Sequence, residues 1–134
     1  MVLTDWHDLL HVADGYLTRP GAVEDDVADL PFQLQRLYLV SDGVYDRHGQ
    51  WFLLWPLSEL LRRNELEWAD GDPGRCELLA FGDDGTGAQF CVPRDGGSGV
   101  FLWDPLAGSP HWLANDLGDF WAGWTTGAIT TYAA

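Results

Sequence analysis

Four segments of the chain repeat apolar residues at the three- to four-residue spacing of an amphipathic helix. They span residues 4–15, 31–43, 57–68 and 116–124. Thr4, Ser58 and Asp116 are residue types that cap helix N-termini, and Pro31 suits a first helical turn. The residues expected to face the interior are Trp6, Leu9, Leu10 and Ala13, then Leu34, Leu37 and Tyr38, then Leu57, Leu60 and Leu61, and finally Leu117, Phe120, Trp121 and Trp124.

Short apolar runs bounded by turn residues predict strands between these helices. They lie at residues 44–45, 50–56, 76–82, 88–93, 100–104 and 111–115. The run QWFLLWP at 50–56 is apolar on both faces, so we expect both of its sides to be covered. Short turns join strands in antiparallel pairs, and helices and strands arranged in blocks favour an α+β fold over a doubly wound one.

The stretch LLAFGDDGTGAQFCV at 78–92 could be a ligand loop or the turn of a hairpin. A phosphate-binding P-loop requires a lysine, and the chain contains none. A calcium loop counted from Asp83 would place Arg94 where a bidentate glutamate belongs. The pattern therefore predicts a hairpin centred on Asp84-Gly85, which would set Cys91 opposite Leu78 and on the same sheet face as Cys76.

The composition indicates one globular domain with a strongly acidic surface. Apolar residues make up 46% of the 134 residues, and seven arginines stand against 21 acids, for a formal charge of −14. Such a surface repels nucleic acid and anionic membranes and attracts a basic partner, although the charge could also simply keep a tryptophan-rich protein soluble. With no basic leader and no apolar run of membrane-spanning length, we expect a cytoplasmic protein with reduced cysteines.

No candidate catalytic pattern is complete. His7 and His11 resemble part of a zinc-binding helix but lack a third ligand, and both lie off its apolar face. Ser98 lacks the second glycine of a nucleophile elbow. The carboxylate pairs Asp25-Asp26, Asp70/Asp72 and Asp83-Asp84 all lie in polar loops, which favours solvated surface, and no cofactor is predicted. Trp51 and Trp55 share a strand face and could form an aromatic patch, but the charge has the wrong sign for nucleic acid.

The order of motifs resembles the SUKH superfamily, small bacterial immunity proteins related to a fungal regulator of cell-wall synthesis. The resemblance covers about residues 30–124, through LPFQLQRLYLVSDGVYD, WFLLWPLSELL, LLAFGDDGTGAQFCVP, GVFLWDP and LANDLGDFWAGW. Leu30-Pro31 resembles the start of the family's helix and Asp42-Gly43 its end. Gly82, Asp83 and Gly87 resemble its hairpin motif, a signature of the fold.

The resemblance implies a single α+β domain over residues 1–134, with a mostly antiparallel central sheet of about five or six strands and helices packed against it. It also implies a protein without catalytic activity that neutralises a toxin by binding. The expected toxin is a nuclease or deaminase domain, which is basic because it binds nucleic acid, so an acidic inhibitor would complement and occlude it. The expected contact residues are Asp25, Asp26, Asp46, Asp70, Asp72, Asp83, Asp84 and Trp51. The alternatives are a regulatory or scaffolding module that binds a host protein and a small metal-dependent hydrolase.

Overall fold

The computed structural model describes residues 5–12 and 15–131, and this part of the chain is an α+β fold. Its helices are α1 Trp6–Val12, α2 Glu24–Val27, α3 Phe32–Val40, α4 Leu57–Ala69, α5 Pro73–Cys76 and α6 Leu117–Thr126. Its strands are β1 Tyr16–Thr18, β2 Val44–Asp46, β3 Phe52–Leu54, β4 Leu78–Asp83, β5 Gln89–Pro93, β6 Val100–Asp104 and β7 Ser109–Ala114. Within those residues, no helix is both long and apolar enough to cross a bilayer.

All strand pairs that the structure describes are antiparallel, as expected, but they form two sheets rather than one. The first has the order β1-β2-β3 and the second the order β4-β5-β6-β7. The sheets meet where β3 ends: the Trp55 N–H donates to the Phe81 carbonyl at 2.7 Å. A side chain on Gly82 would come within 1.9 Å of the Leu53 carbonyl oxygen, so this contact between the sheets requires glycine.

The predicted helices are present, with corrections at their ends. Asp116 caps α6 as expected by accepting the Asp119 N–H at 2.7 Å. Pro31 and Pro56 each lie at the N-cap position, so Ser58 falls inside α4 and is not its cap. The proposed capping residue Thr4 and the apolar position Ala13 lie outside the described residues.

The apolar stripes of α3 and α6 are confirmed, but the stripe of α4 is narrower than predicted. Leu57 and Leu60 are buried, whereas Leu61 is 47% exposed. The sequence pattern missed β1, α2 and α5 altogether, because each has only three or four residues within a polar segment. Asp72 starts α5 by accepting the Gly74 N–H at 3.0 Å.

The hairpin between β4 and β5 is confirmed, but its register differs from the prediction. Asp83 pairs with Gln89, so the loop spans residues 84–88 and is not centred on Asp84-Gly85. This longer loop, together with an irregularity between Ala80 and Gly82, places Cys91 opposite Ala80 rather than Leu78. A count outward from an assumed two-residue turn detects neither feature.

The four-stranded sheet has an apolar core on each face. Leu79 and Phe81 of β4 point to the larger core, where Phe90 packs on Phe120 of α6 with ring centroids 4.8 Å apart. Side chains one residue out of phase point to the smaller core, formed by Trp55, Leu78, Ala80, Cys91 and Trp103. Because a strand alternates its side chains between faces, the central residues of β4 and β5 are apolar on both sides.

A polar network centred on Arg75, which is only 2% exposed, joins α4, α5 and the second sheet. The guanidinium donates to Glu67 at 2.8 Å, to the Asn64 side-chain oxygen at 2.6 Å and to the Leu78 carbonyl at 2.8 Å. Asn64 in turn pairs with the backbone N–H and carbonyl of Ala80, each at 2.8 Å. Buried charge is tolerated in proteins when its donors are satisfied in this way.

The two cysteines differ in burial, and we expect them to differ in reactivity. Burial raises the pKa of Cys91 to about 12, while Cys76 is partly accessible. Since the thiolate is the reactive form, iodoacetamide should label Cys76 well before Cys91 in the folded protein at pH 8, as read by mass spectrometry. The Cys76→Ser variant should lose the fast label. Equal labelling rates at both positions would contradict this assignment.

Candidate protein-binding surfaces

The eight residues predicted to contact a partner do not lie on one surface. Asp25 and Asp26 are exposed on α2, and Asp70 and Asp72 are exposed at the turn between α4 and α5. Asp72 also caps α5, so part of its hydrogen-bonding capacity is used within the chain. The other four have roles inside the fold.

Asp46 organises the turn between β2 and β3 and is not an exposed contact residue. Its carboxylate accepts the backbone N–H groups of His48, Gln50 and Trp51 at 2.7–3.2 Å. Desolvation raises the pKa of Asp46, but the three backbone donors outweigh it, so that the pKa lies below its ordinary value. The sequence pattern ended the strand at Tyr45, whereas Asp46 is the last residue of β2, and the pattern did not indicate that the following turn closes over its carboxylate.

Asp83 and Asp84 likewise hold the hairpin that contains them. Asp83 accepts the Trp55 indole N–H and the Gly85 N–H, both at 2.9 Å. Asp84 is 2% exposed and accepts the Thr86 N–H and hydroxyl and, at 2.7 Å, the Thr131 hydroxyl. The expectation that these acids contact a partner is therefore corrected for Asp84, because the chain covers its carboxylate.

The aromatic patch predicted at Trp51 and Trp55 is wrong. Trp55 is 1% exposed, and the Arg63 guanidinium lies 4.8 Å from its ring centroid. Trp51 is partly buried, with its ring edge-to-face against Tyr16 at 5.9 Å and Trp124 at 6.4 Å. Trp51 therefore packs against the edge of the larger core and is not an exposed side chain that could anchor a partner.

The residues of the proposed structural motifs have structural roles. Leu30 is buried, and Asp42 connects two helices because its carboxylate accepts the Leu57 N–H at 2.8 Å at the start of α4. Gly43 and Gly87 have φ values of +122° and +103°, which disfavour any residue with a side chain. Gly82 permits the contact between the sheets described above.

An exposed apolar face on α3 is the feature that sequence reasoning missed. Phe32 is 61% and Leu39 40% exposed. The two residues are seven apart, so at about 100° per residue they lie on one side of the helix, away from the buried Leu34 and Leu37. The sequence contained this signal, since seven-residue spacing opposite a core stripe predicts a second apolar face.

Helix α2 and the segment before it flank this face. The Gln35 side-chain amide donates to the Ala28 and Leu30 carbonyls, and the Ala22 N–H donates to the Tyr38 carbonyl at 2.8 Å. By helical rotation, Phe32 and Leu39 lie about 40–60° from Gln35, on the side that faces α2. Val23, which follows Ala22 in the chain, is also apolar and 62% exposed.

We call this region the α2–α3 surface. Its charged residues are mainly acidic: Glu24, Asp25, Asp26 and Asp29 are all exposed. Arg36 lies within it, with its guanidinium 5.9 Å from the Phe32 ring centroid. Exposed apolar residues with a polar rim are the usual anatomy of a protein-binding site, and here most of the rim is negative.

A second exposed apolar pair, on α4, lacks this electrostatic character. Leu61 and Leu66 are 47% and 59% exposed. Their neighbours Arg62 and Arg63 both pair with Glu59, at 2.7 Å and 3.1 Å. Leu61 and Leu66 also lie about 140° apart around the helix, so α4 presents no single apolar face, and its mixed charges give a basic partner no clear electrostatic attraction.

The histidines do not converge on a reactive centre in the part of the chain that the structure describes. His7, His48 and His111 are exposed on three different elements, and the side chain of His11 lies outside the described positions. Across residues 5–12 and 15–131, no three histidine, cysteine or acidic side chains are grouped so that they could hold a metal ion. The hydrolase alternative gains no supporting observation here.

No protein-family model matches this sequence, and no curated protein matches it either. The resemblance to SUKH proteins therefore remains a prediction from the order of motifs. The structure adds the exposed apolar and acidic residues of the α2–α3 surface.

Proposed function

We propose that this chain is an immunity protein of the SUKH kind that binds a basic toxin domain and neutralises it. The α2–α3 surface carries the proposal. It combines three exposed apolar side chains, Val23, Phe32 and Leu39, with four exposed acids in or next to α2. The net charge of −14 also attracts a basic partner to the protein as a whole.

The apolar and acidic parts of this surface would act at different stages of binding. Acidic residues attract a basic partner over distances of about 10 Å, the Debye length at 0.1 M salt, and speed its encounter. Apolar side chains then contribute most of the affinity once water is excluded from the contact. A toxin that acts on nucleic acid has a basic substrate groove, so binding at that groove would block its substrate.

The proposed SUKH-like fold has one central sheet, and the contact between the two observed sheets supports this interpretation. The Trp55–Phe81 backbone hydrogen bond and the close approach at Gly82 continue the order of strands from β3 to β4. We therefore propose that both sheets act as one curved layer that supports α3 on one side. This layer would hold the α2–α3 surface in a fixed shape and limit the entropy lost on binding.

Co-expression with the product of the neighbouring gene tests the proposed function. We expect the two proteins to copurify, and cells that carry both to survive a product that kills cells without this chain. The purified toxin should also lose its activity on nucleic acid at equimolar inhibitor. A neighbouring product that is harmless would instead favour a regulatory module, and toxicity unaffected by this chain would overturn the proposal.

A further inference from the structure

A groove of about 480 Å³ lies on the second sheet, on the side of the smaller core. Its apolar lining comes from adjacent strands, and its rim is charged. The apolar residues are Leu78, Pro93, Phe101 and Pro110, and the charged ones are Glu77, Arg94 and Asp95. We call it the sheet groove. It is separate from the α2–α3 surface, which lies on helices and not on this sheet.

Arg94 is the cationic residue among the described residues that line the sheet groove, and other parts of the chain hold its guanidinium. The Arg94 guanidinium lies 3.5 Å from the Trp68 ring centroid and donates to the Cys76 carbonyl at 3.3 Å. Among residues 5–12 and 15–131, neither Glu77 nor Asp95 forms an ion pair, although Asp95 accepts the Gly97 N–H at 2.8 Å. The groove thus combines an apolar floor with two carboxylates that can receive another cation.

The neighbouring edge strand limits what can bind here. β7 is the last strand of its sheet, and residues 109–112 are exposed. Pro110 has no N–H, and proline in an edge strand usually turns the position of its missing donor toward solvent. A strand added beside β7 would find no backbone N–H donor at Pro110. A side chain that enters the groove from a partner's loop therefore fits better than strand addition. Trp112 is 60% exposed and pairs with Phe101, which lines the groove, so a side chain entering the groove would pass near Trp112.

We infer that the sheet groove binds an arginine side chain from a protruding loop of a basic protein partner. Its aliphatic stem would pack on Phe101 and Pro93, and its guanidinium would lie between the Glu77 and Asp95 carboxylates. A planar guanidinium suits carboxylates and aromatic rings better than an ammonium group does. The inference rests on the proposed function only in taking the partner to be a basic protein.

An NMR titration of the ¹⁵N-labelled full chain tests the groove without any toxin. The probe is the peptide acetyl-Gly-Arg-Gly-amide, and the control peptide carries citrulline, which has nearly the same shape but no charge. We expect saturable shifts at Phe101, Asp95 and Trp112 with a Kd of about 1 mM, and much weaker binding of the citrulline peptide. Equal shifts with both peptides, or shifts centred on α2, would overturn the inference.

Substitutions at the rim are expected to change the affinity for the arginine peptide in opposite directions. Damage to the fold would only lower the affinity, so the two effects can be separated. Glu77→Gln with Asp95→Asn should weaken binding of the arginine peptide by about fivefold, because two partly solvated charge pairs are lost. Arg94→Gln should strengthen it by about threefold, because a repelling cation is removed. A loss of affinity in Arg94→Gln would contradict the inference. Glu65→Gln on α4, an exposed acid that does not line the groove, is the control and should leave the affinity for the arginine peptide unchanged.

The outcomes distinguish this inference from the proposed function. If the arginine peptide binds in the groove but the neighbouring gene product does not bind, only the function fails. If the peptide does not bind while the α2–α3 surface still binds a toxin, only the groove assignment fails.

Discussion

Replacing Arg75 with methionine is expected to lower the free energy of unfolding by about 3 kcal/mol. Methionine fills much of the same volume but cannot donate, so the Leu78 carbonyl keeps only the Trp68 indole N–H, and the Asn64 side-chain oxygen loses its 2.6 Å guanidinium donor in a buried site. The Glu67 carboxylate loses a partner as well, but it is 32% exposed and can recover part of this loss through water. For that reason we place the cost below that of a fully buried unpaired charge.

The control for this substitution is Arg62→Met. Arg62 also pairs with a glutamate, at 2.7 Å, but its side chain is 58% exposed. Urea unfolding followed by tryptophan fluorescence should therefore show a change within about 0.5 kcal/mol. Equal effects of the two substitutions would mean that the Arg75 network does not stabilise the junction of α4, α5 and the sheet.

Replacing Phe32 with alanine is expected to weaken binding of the toxin by about 30-fold, which corresponds to about 2 kcal/mol. The side chain is exposed, so its removal should change stability little, and the loss should appear mainly in the dissociation rate. Isothermal calorimetry with the neighbouring gene product measures the affinity. Leu66→Ala is the matched control, because Leu66 is 59% exposed on α4, whose charges are mixed.

Asp25→Asn with Asp26→Asn should act mainly on association. Without these charges the rate of association should fall and depend less steeply on salt. Glu65→Gln, an exposed acid on α4, provides the control. Similar losses in the α4 variants and the α2–α3 variants would mean that the partner senses only the net charge, without a defined surface.

The sequence predicted the elements that have a long periodic signal. Leu34, Leu37 and Tyr38 on α3, and Leu117, Phe120 and Trp121 on α6, are buried as expected. Two features escaped the sequence pattern. The register of Cys91 depends on the length of the loop at 84–88 and on an irregularity in β4, and the covering of Asp84 involves Thr131, which is 47 residues away.

The candidate site was predictable in chemistry but not in position. Acidic charge is additive and can be read from composition, whereas the exposure of each acid depends on which turns close over it. Asp46 and Asp25 both lie in polar segments, yet one accepts three backbone N–H groups and the other extends into solvent. Backbone donors converge on a carboxylate only where the local turn is tight enough.

The central claim is that the α2–α3 surface docks a basic protein. Hydrogen–deuterium exchange of this chain, measured alone and with the neighbouring gene product, tests it directly. We predict slower exchange across residues 22–39 in the complex and no change across 61–66 on α4. Protection confined to other elements, or none at all at concentrations where the toxin is inhibited, would contradict the claim.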